Sequence, residues 1–478
     1  MTCPDLRESP LLPVTRLLTA LTVLAASISH GVAAGLTPKS IPVQIRLAEE
    51  MAANEDWDEA ARRWVDILFY FGPSDQEPRA DFELGAIALH RGRSDLAVAQ
   101  WNKVVTRDPE SEWAERAKEA LVLLGKQPPE PPETPPPPYV TEGTPPDERQ
   151  FLVANEDMAH GLHVFAIRDF LKITNLHPTS GRAAEARFRV GTCQALLGHP
   201  ERAMRQWDRV TQDYPDSPEA QMARAGVAAW HAALRAAGTD PLAVRGTVSE
   251  GAWRPLRRYT TETDQGLSYA EDLFENGILD YALQEYAKVL CGIYTAKGAD
   301  NMHKAYARYR MGVCAYRLGE RDAASRQWRR LLAEDPESPW AQHATRALAA
   351  VGVTDLLSSD AGRPAPALPS DLPSPLVQRY HLAEQLLDCG LPLVASKEYL
   401  KVMVVLTAGK PNPFQAEASY KLGLCQHLRG RQDLARKAWE RTVTEYAGTP
   451  SAEKAGTALS EADRIETALA VSLPEPTP

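Results

Sequence analysis

Small and aromatic residues recur along the chain at helical spacing and in one register, four times over. A glycine anchors each copy: Gly85 in FELGAIAL, Gly191 in FRVGTCQA, Gly312 in YRMGVCAY and Gly423 in YKLGLCQH. Three residues before it stands Phe82, Phe188, Tyr309 or Tyr420, and five before it Ala80, Ala186, Ala307 or Ala418. Seven after it stands Gly92, Gly198, Gly319 or Gly430; twelve after, Ala97, Ala203, Ala324 or Ala435; sixteen after, Trp101, Trp207, Trp328 or Trp439. No copy needs a gap. Alanine and tryptophan four apart share one helix face. The pattern therefore predicts a helix, a glycine turn and a second helix. The small residue lets the two backbones approach, and the aromatic fills the space beside it. Pro109, Pro215 or Pro336 closes the unit, with Ala447 as the exception. Ser111, Ser217, Ser338 or Thr449 then caps one more helix, which begins with Pro218, Pro339 or Pro450 in the last three copies.

A weaker copy precedes each strong one. Its anchors are Ala48, Ala154, Ala270 and Ala383; twelve on come Ala60, Ala166, Ala282 and Ala395, and four further Trp64, Phe170, Tyr286 and Tyr399. The turn residue is Gly161, Gly277 or Gly390, with Glu55 departing in the first copy. The chain thus holds eight units in four pairs. The helix after each pair covers an otherwise exposed apolar edge. Each module has five helices, and at about 85 residues it can bury its own core. The expected class is all-α, with modules at 42–126, 149–236, 266–353 and 376–470.

Linkers separate them. Residues 127–148 are proline-rich; PPEPPETPPPPYVTEGTPP (128–146) is expected to be extended, a stiff spacer that could hold its flanks up to about 60 Å apart. Residues 237–265 are irregular, 354–375 are again proline-rich, and 471–478 form a tail. The four modules form either beads on a string or one superhelix with its linkers looped outside.

These repeats resemble the tetratricopeptide repeat (TPR), a helix-turn-helix unit of about 34 residues. The small anchor, the alanine, the aromatic four later and the proline eight after that all match. The family's leading Trp is replaced by the aromatic before the glycine, and its later Tyr by Ala88, Gln194, Ala315 or Gln426. The strings DYPDSPEAQMARAG (213–226) and EDPESPWAQHATRAL (334–348) are similar to the ends of repeats in Gram-negative cell-envelope TPR proteins. Those are the BamD-type outer-membrane assembly lipoproteins and the Tol-Pal-associated coordinator. The lipid-anchor cysteine of the first is missing, and eight repeats stand where about five are usual.

Residues 1–34 are expected to be a signal peptide. The run LLTALTVLAASIS (17–29) is uncharged, follows Arg16 and precedes Val32-Ala33-Ala34. Thirteen apolar residues are short of the roughly 20 a membrane span needs, so no integral span is expected after cleavage; a retained anchor is the alternative. Over 478 residues, 53 basic and 63 acidic side chains leave a net charge of −10, with no global pull toward nucleic acid. Cys3 would leave with the signal. Cys193, Cys291, Cys314, Cys389 and Cys425 are odd in number, widely spaced and without CxxC, which argues against a disulfide framework or zinc.

Several residues could in principle carry chemistry. Four tryptophans at one offset could make a stacking platform, but their place is the packed inner helix face. Cys193, Cys314 and Cys425 share a slot filled by Ile87 in the first module, so they are expected to be core thiols. His160 and His163 in HGLH make at most half a zinc site, and a solvated turn is expected. Arg326, Arg329 and Arg330 in RQWRRLL are expected on a solvated helix face. No GxSxG, HExxH, P-loop or GxGxxG is present. No enzyme activity, cofactor, metal or small-molecule substrate is therefore expected; an enzymatic site would have to sit in residues 237–265.

The TPR resemblance implies a concave groove, lined by the first helices of successive repeats, that takes up a partner's segment. Its candidates lie one, four and five residues after the anchor glycine and include Leu89, His90, Thr192, Tyr316, Arg317, His427 and Leu428. The expectation is an exported, non-catalytic scaffold for envelope-associated protein partners in the periplasm or cell envelope. The alternative is a structural spacer or tether that organises or oligomerises envelope components.

Overall fold

The structure is a computed structural model that describes residues 40–134, 136–236, 262–294, 303–352, 374–404 and 412–472. The expected signal (1–34), most of the 237–265 and 354–375 linkers and the end of the tail lie outside these residues. Among the described residues there are twenty helices and no strands. Contacts divide the chain into two compact units, one ending at Asp169 and the other starting at Phe170.

In the first unit, α1 (Ile41–Ala53), α2 (Trp57–Phe69), α3 (Glu77–His90), α4 (Ser94–Arg107) and α5 (Glu112–Leu123) pack in sequence. The first helices and the cap, α1, α3 and α5, form one layer, with Arg79 of α3 paired to Glu49 of α1 at 2.6 Å. α2 and α4 form the other. The fifth helix covers the edge as expected: Ala114, Ala117 and Leu121 join the core of Phe82, Trp101 and Val104. α6 (Pro146–Ala159) then lies against α2, and α7 (His163–Leu176) follows across the unit boundary.

The second unit continues with α8 (Ala183–Leu196), α9 (Pro200–Asp213) and α10 (Pro218–Ala236). Next come α11 (Glu262–Glu275), α12 (Leu279–Leu290), α13 (Lys304–Arg317), α14 (Arg321–Glu334) and α15 (Pro339–Ala350). The last five are α16 (Ser374–Asp388), α17 (Pro392–Val404), α18 (Gln415–Leu428), α19 (Gln432–Glu445) and α20 (Pro450–Ser472). Modules 2, 3 and 4 start at Pro146, Glu262 and Ser374, a few residues ahead of expectation; proline is well placed in the first turn of α6 and α16.

The repeat register has a visible cause. In all four strong copies the tryptophan Nε1–H donates to the carbonyl of the aromatic before the glycine: Trp101 to Phe82 (3.1 Å), and Trp207 to Phe188, Trp328 to Tyr309 and Trp439 to Tyr420 (3.2 Å each). A Cβ added at Gly85, Gly191, Gly312 or Gly423 would stand 2.3–2.4 Å from that indole nitrogen. Glycine is the only residue that admits the bond. The caps form as expected too: the hydroxyls of Ser111, Ser217, Ser338 and Thr449 accept the N–H three residues on, at 3.1–3.2 Å.

The first linker does not act as a spacer. Tyr139 folds back onto module 1, donating to Asp81 at 2.7 Å, meeting Phe69 edge-on and lying under the Arg107 guanidinium. Val140 is buried. Arg149, at the start of α6, donates to the carbonyls of Phe69, Gly72 and Thr141. An aromatic and a β-branched residue among the prolines supply enough apolar surface to hold the segment down.

Successive modules therefore meet directly, through joints in which the first helix of one lies against the second helices of the module before it. At the first joint, Glu156 of α6 takes Lys103 (2.9 Å) and Gln100 (3.1 Å) of α4. Burial opposes its charge, but His160 and Lys103 hold it down to about 2. Beside it Arg62 is buried among Asp66, Asp157 and Asp169. Burial pushes the Asp157 carboxyl well above its ordinary range despite the guanidinium. At the second joint, Arg187 (3.0 Å) and Arg209 (2.7 Å) close on Asp272 of α11, and Gln194 donates to the Asn276 carbonyl at 2.9 Å. Burial again opposes the charge, and the two guanidinium groups hold Asp272 far below the usual carboxylate range. At the third, Asp388 of α16 receives Arg330 (2.7 Å), Gln327 (3.0 Å) and Arg326 of α14.

Two expectations are corrected here. His160 is buried in the first joint, not solvated in a turn. Arg326 and Arg330 clamp Asp388 and do not form a solvated face. In both cases the partner comes from a helix tens of residues away, which local patterning does not contain.

Candidate partner-binding surface

The groove candidates all fall at or near the C-terminal ends of the first helices of the strong repeats, where the following glycine turn leaves the last helical residues uncovered. Leu428, at the end of α18, is 57% exposed, and Tyr316, near the end of α13, is 44% exposed with its ring 6.3 Å from Trp328. Arg317 is exposed and holds its guanidinium 4.4 Å over the Phe274 ring. His427 is exposed; its Nδ1 meets Gln432 at 2.9 Å and its ring lies 5.8 Å from Trp439.

The remaining three are tied to their own modules. His90 is exposed but stacks on Trp57 at 4.5 Å, and partial burial lowers its pKa. Leu89 is half-buried and packs on the first core cluster. Thr192 is half-buried and its hydroxyl reaches back to the Phe188 carbonyl at 3.4 Å. These seven residues sit in four different modules.

Three residues of the same kind were missed. Leu196, at the end of α8, is 58% exposed, and Leu197 and Leu318 are exposed beside it and beside Arg317. Leu196 holds the slot five after the glycine, the slot of His90, Arg317 and Leu428, so the repeat register itself could have found it.

The rest of the candidate chemistry is structural. Trp101, Trp328 and Trp439 are buried and Trp207 is half-buried. Cys193, Cys314 and Cys425 are buried, and burial pushes the Cys314 and Cys425 thiols up to about 12, far from a reactive thiolate. Among the described residues no cluster of His, Cys, Asp or Glu is arranged to hold a metal, and no helix is long and apolar enough to cross a membrane.

The tetratricopeptide-repeat profiles match residues 45–112 and, separately, 185–217, 306–338 and 417–449. The chain is built on tetratricopeptide repeats. The matched segments are the first pair and the three later strong copies. The weaker TPR units of modules 2, 3 and 4 have the same helix-turn-helix order in α6–α7, α11–α12 and α16–α17. No curated protein matches the chain in sequence. Among solved structures, a human IFIT1 dimer with m7Gppp-AAAA is similar at 12% identity over 95% of this chain and 86% of that one, with a TM-score of 0.18. A circular tandem repeat protein with novel repeat topology is similar at 13% identity over 97% and 95%, with a TM-score of 0.12. At these scores neither bears on how the TPR modules are arranged.

Proposed function

We propose that this chain is an exported, non-catalytic TPR scaffold that binds partner segments through the first-helix faces of its strong repeats, in the periplasm or cell envelope. The observation that carries the binding reading is the exposure of Leu196, Tyr316 and Leu428. Large apolar side chains stand at equivalent helix ends in three modules, where solvent gives no reason to keep them. Apolar anchors of this kind dominate the energy of protein interfaces, and presenting them on several TPR modules adds avidity for a partner that reaches more than one.

The envelope location rests on the apolar run at 17–29, the small residues at Val32-Ala33-Ala34 and the likeness of 213–226 and 334–348 to envelope TPR proteins. A spacer or tether ranks second, because Tyr139 and Val140 tie the first linker to its own module.

The test is purification of the tagged full chain from its own host, with sequencing of its mature N-terminus and identification of stoichiometric partners. A start near Gly35 is expected. A partner lost on Leu428→Glu and Tyr316→Ala, with unchanged thermal unfolding, supports the groove. An uncleaved cytosolic chain would overturn the location, and a partner retained by both variants would overturn the surface.

A further inference from the structure

The three joints share one chemistry, and module 4 repeats the receiving half of it. Asp388 is received by Arg326, Gln327 and Arg330, which lie fourteen, fifteen and eighteen residues after the anchor glycine. The last two slots hold Gln100 and Lys103 in module 1 and Gln206 and Arg209 in module 2. Each glutamine is buried. Lys103 and Arg209 each bind a carboxylate of the next module's first helix.

In module 4 the same slots are Lys437, Ala438 and Arg441 on α19. Charge is kept at the two of these three positions that are charged in module 3. Exposure is not the same: Lys437 is exposed, Ala438 is half-buried, and Val443 two residues beyond Arg441 is 37% exposed. Arg441 turns to Glu445 of its own helix at 3.2 Å. α19 packs on α18 and α20.

We propose that the outer face of α19 docks a helix of another protein, one that carries a carboxylate in its last turn and ends in a glycine. The acid follows from charge complementarity to Lys437 and Arg441, at the positions where this chain binds its own acidic helix ends. The glycine follows from the turns. A Cβ added at Gly161, Gly277 or Gly390 would collide with Arg93, Arg202 or Glu320 of the preceding module at 2.4, 2.3 and 2.7 Å. A helix docked in this way brings its terminal turn under the flexible end of a side chain of the receiving module, which a glycine leaves in place and a Cβ would push aside. That same point disfavours a second copy of this chain as the occupant. The turn after its α1 carries Glu55, a residue with a side chain, at the corresponding position. This surface lies on a second helix, α19, and the groove proposed above on first helices, so neither depends on the other.

The chain's own docking helix is a ready probe. A labelled peptide of residues 376–391, LVQRYHLAEQLLDCGL, is titrated under reducing conditions into the full-length protein and followed by fluorescence anisotropy. Saturable binding is expected, at least tenfold weaker to the Lys437→Glu/Arg441→Glu protein and at least tenfold weaker for the peptide carrying Asp388→Lys. Hydrogen exchange should slow in α19 on binding, which separates docking there from exchange with the chain's own α16. Lys437 is exposed and Arg441 half-buried, and unchanged thermal unfolding checks that the variant folds. No saturable binding up to millimolar peptide, or equal affinity for the double variant, would overturn the proposal. Self-association of the wild type that disappears in the double variant would overturn the choice of partner.

Discussion

Glycines that look alike in the sequence have different duties. Gly198 and Gly277 both adopt positive φ (78° and 74°), but nothing lies within 4 Å of an added Cβ at Gly198, whereas Arg202 lies 2.3 Å from one at Gly277. Gly198→Ala should cost about 1 kcal/mol from conformation alone. Gly277→Ala should cost at most about 1 kcal/mol more, because the flexible end of Arg202 must move aside; urea denaturation of the two variants measures the difference. Gly312→Ala, which drives a methyl into Trp328, should also destabilise, by about 1–3 kcal/mol, without any change of φ sign. Asp81 sets a pH dependence. Burial raises its pKa to about 7 although the Tyr139 hydroxyl donates to it. The folded carboxyl therefore binds its proton more tightly than the unfolded one, and stability falls as pH rises from about 4 to about 7. Asp81→Asn should flatten that slope, read as the urea midpoint at pH 5 against pH 7.5.

At the scale of helices, the joints carry the opposite sign. Asp272 is held ionised by Arg187 and Arg209 with its pKa depressed, so its contribution is present above the unfolded value near 4 and lost as pH falls through and below it. Asp272→Asn should cost about 3–5 kcal/mol, since it leaves a buried guanidinium without its counter-charge, and it should remove the acid-side loss of stability. The helices themselves were legible in the sequence because their register is enforced locally. Gly312, Trp328 and the Tyr309 carbonyl settle one another within about five turns of chain, so the pattern repeats without gaps. The joints were not legible. Asp388 meets residues 58 to 62 positions away, and Glu156, Asp272 and Asp388 do not share one offset, so each looked like ordinary surface charge. His160 was misjudged for the same reason. Composition misled in the first linker, where ten prolines suggested stiffness and two apolar residues, Tyr139 and Val140, decided the outcome. Tyr139→Ala should raise protease sensitivity in residues 128–146 while α1–α5 stay folded, as limited proteolysis would show.

For the whole molecule, the modules within each unit are neighbours in contact and not beads on loose strings, so a load or a partner at one TPR module is met by packed helices and buried ion pairs in the next. The groove residues were legible only as positions. The register placed the candidates at helix ends, and it could not show that His90, though exposed, already stacks on Trp57. Glu55 was visible from the outset as the one departure among the weak-copy turns. It holds a left-handed conformation (φ 57°) that glycine fills in the other three, and its side chain is exposed. Glu55→Gly should accordingly stabilise module 1 by up to about 1 kcal/mol, measurable as a rise in urea midpoint. The same residue gives the array a direction of growth. Duplicating an interior module copies a turn that already fits beneath its neighbour. A duplicate of module 1 inserted downstream would bring Glu55 beneath an arginine or a glutamate, whose side-chain end would have to move aside. Lengthening by gene duplication is thus easier from the middle than from the front.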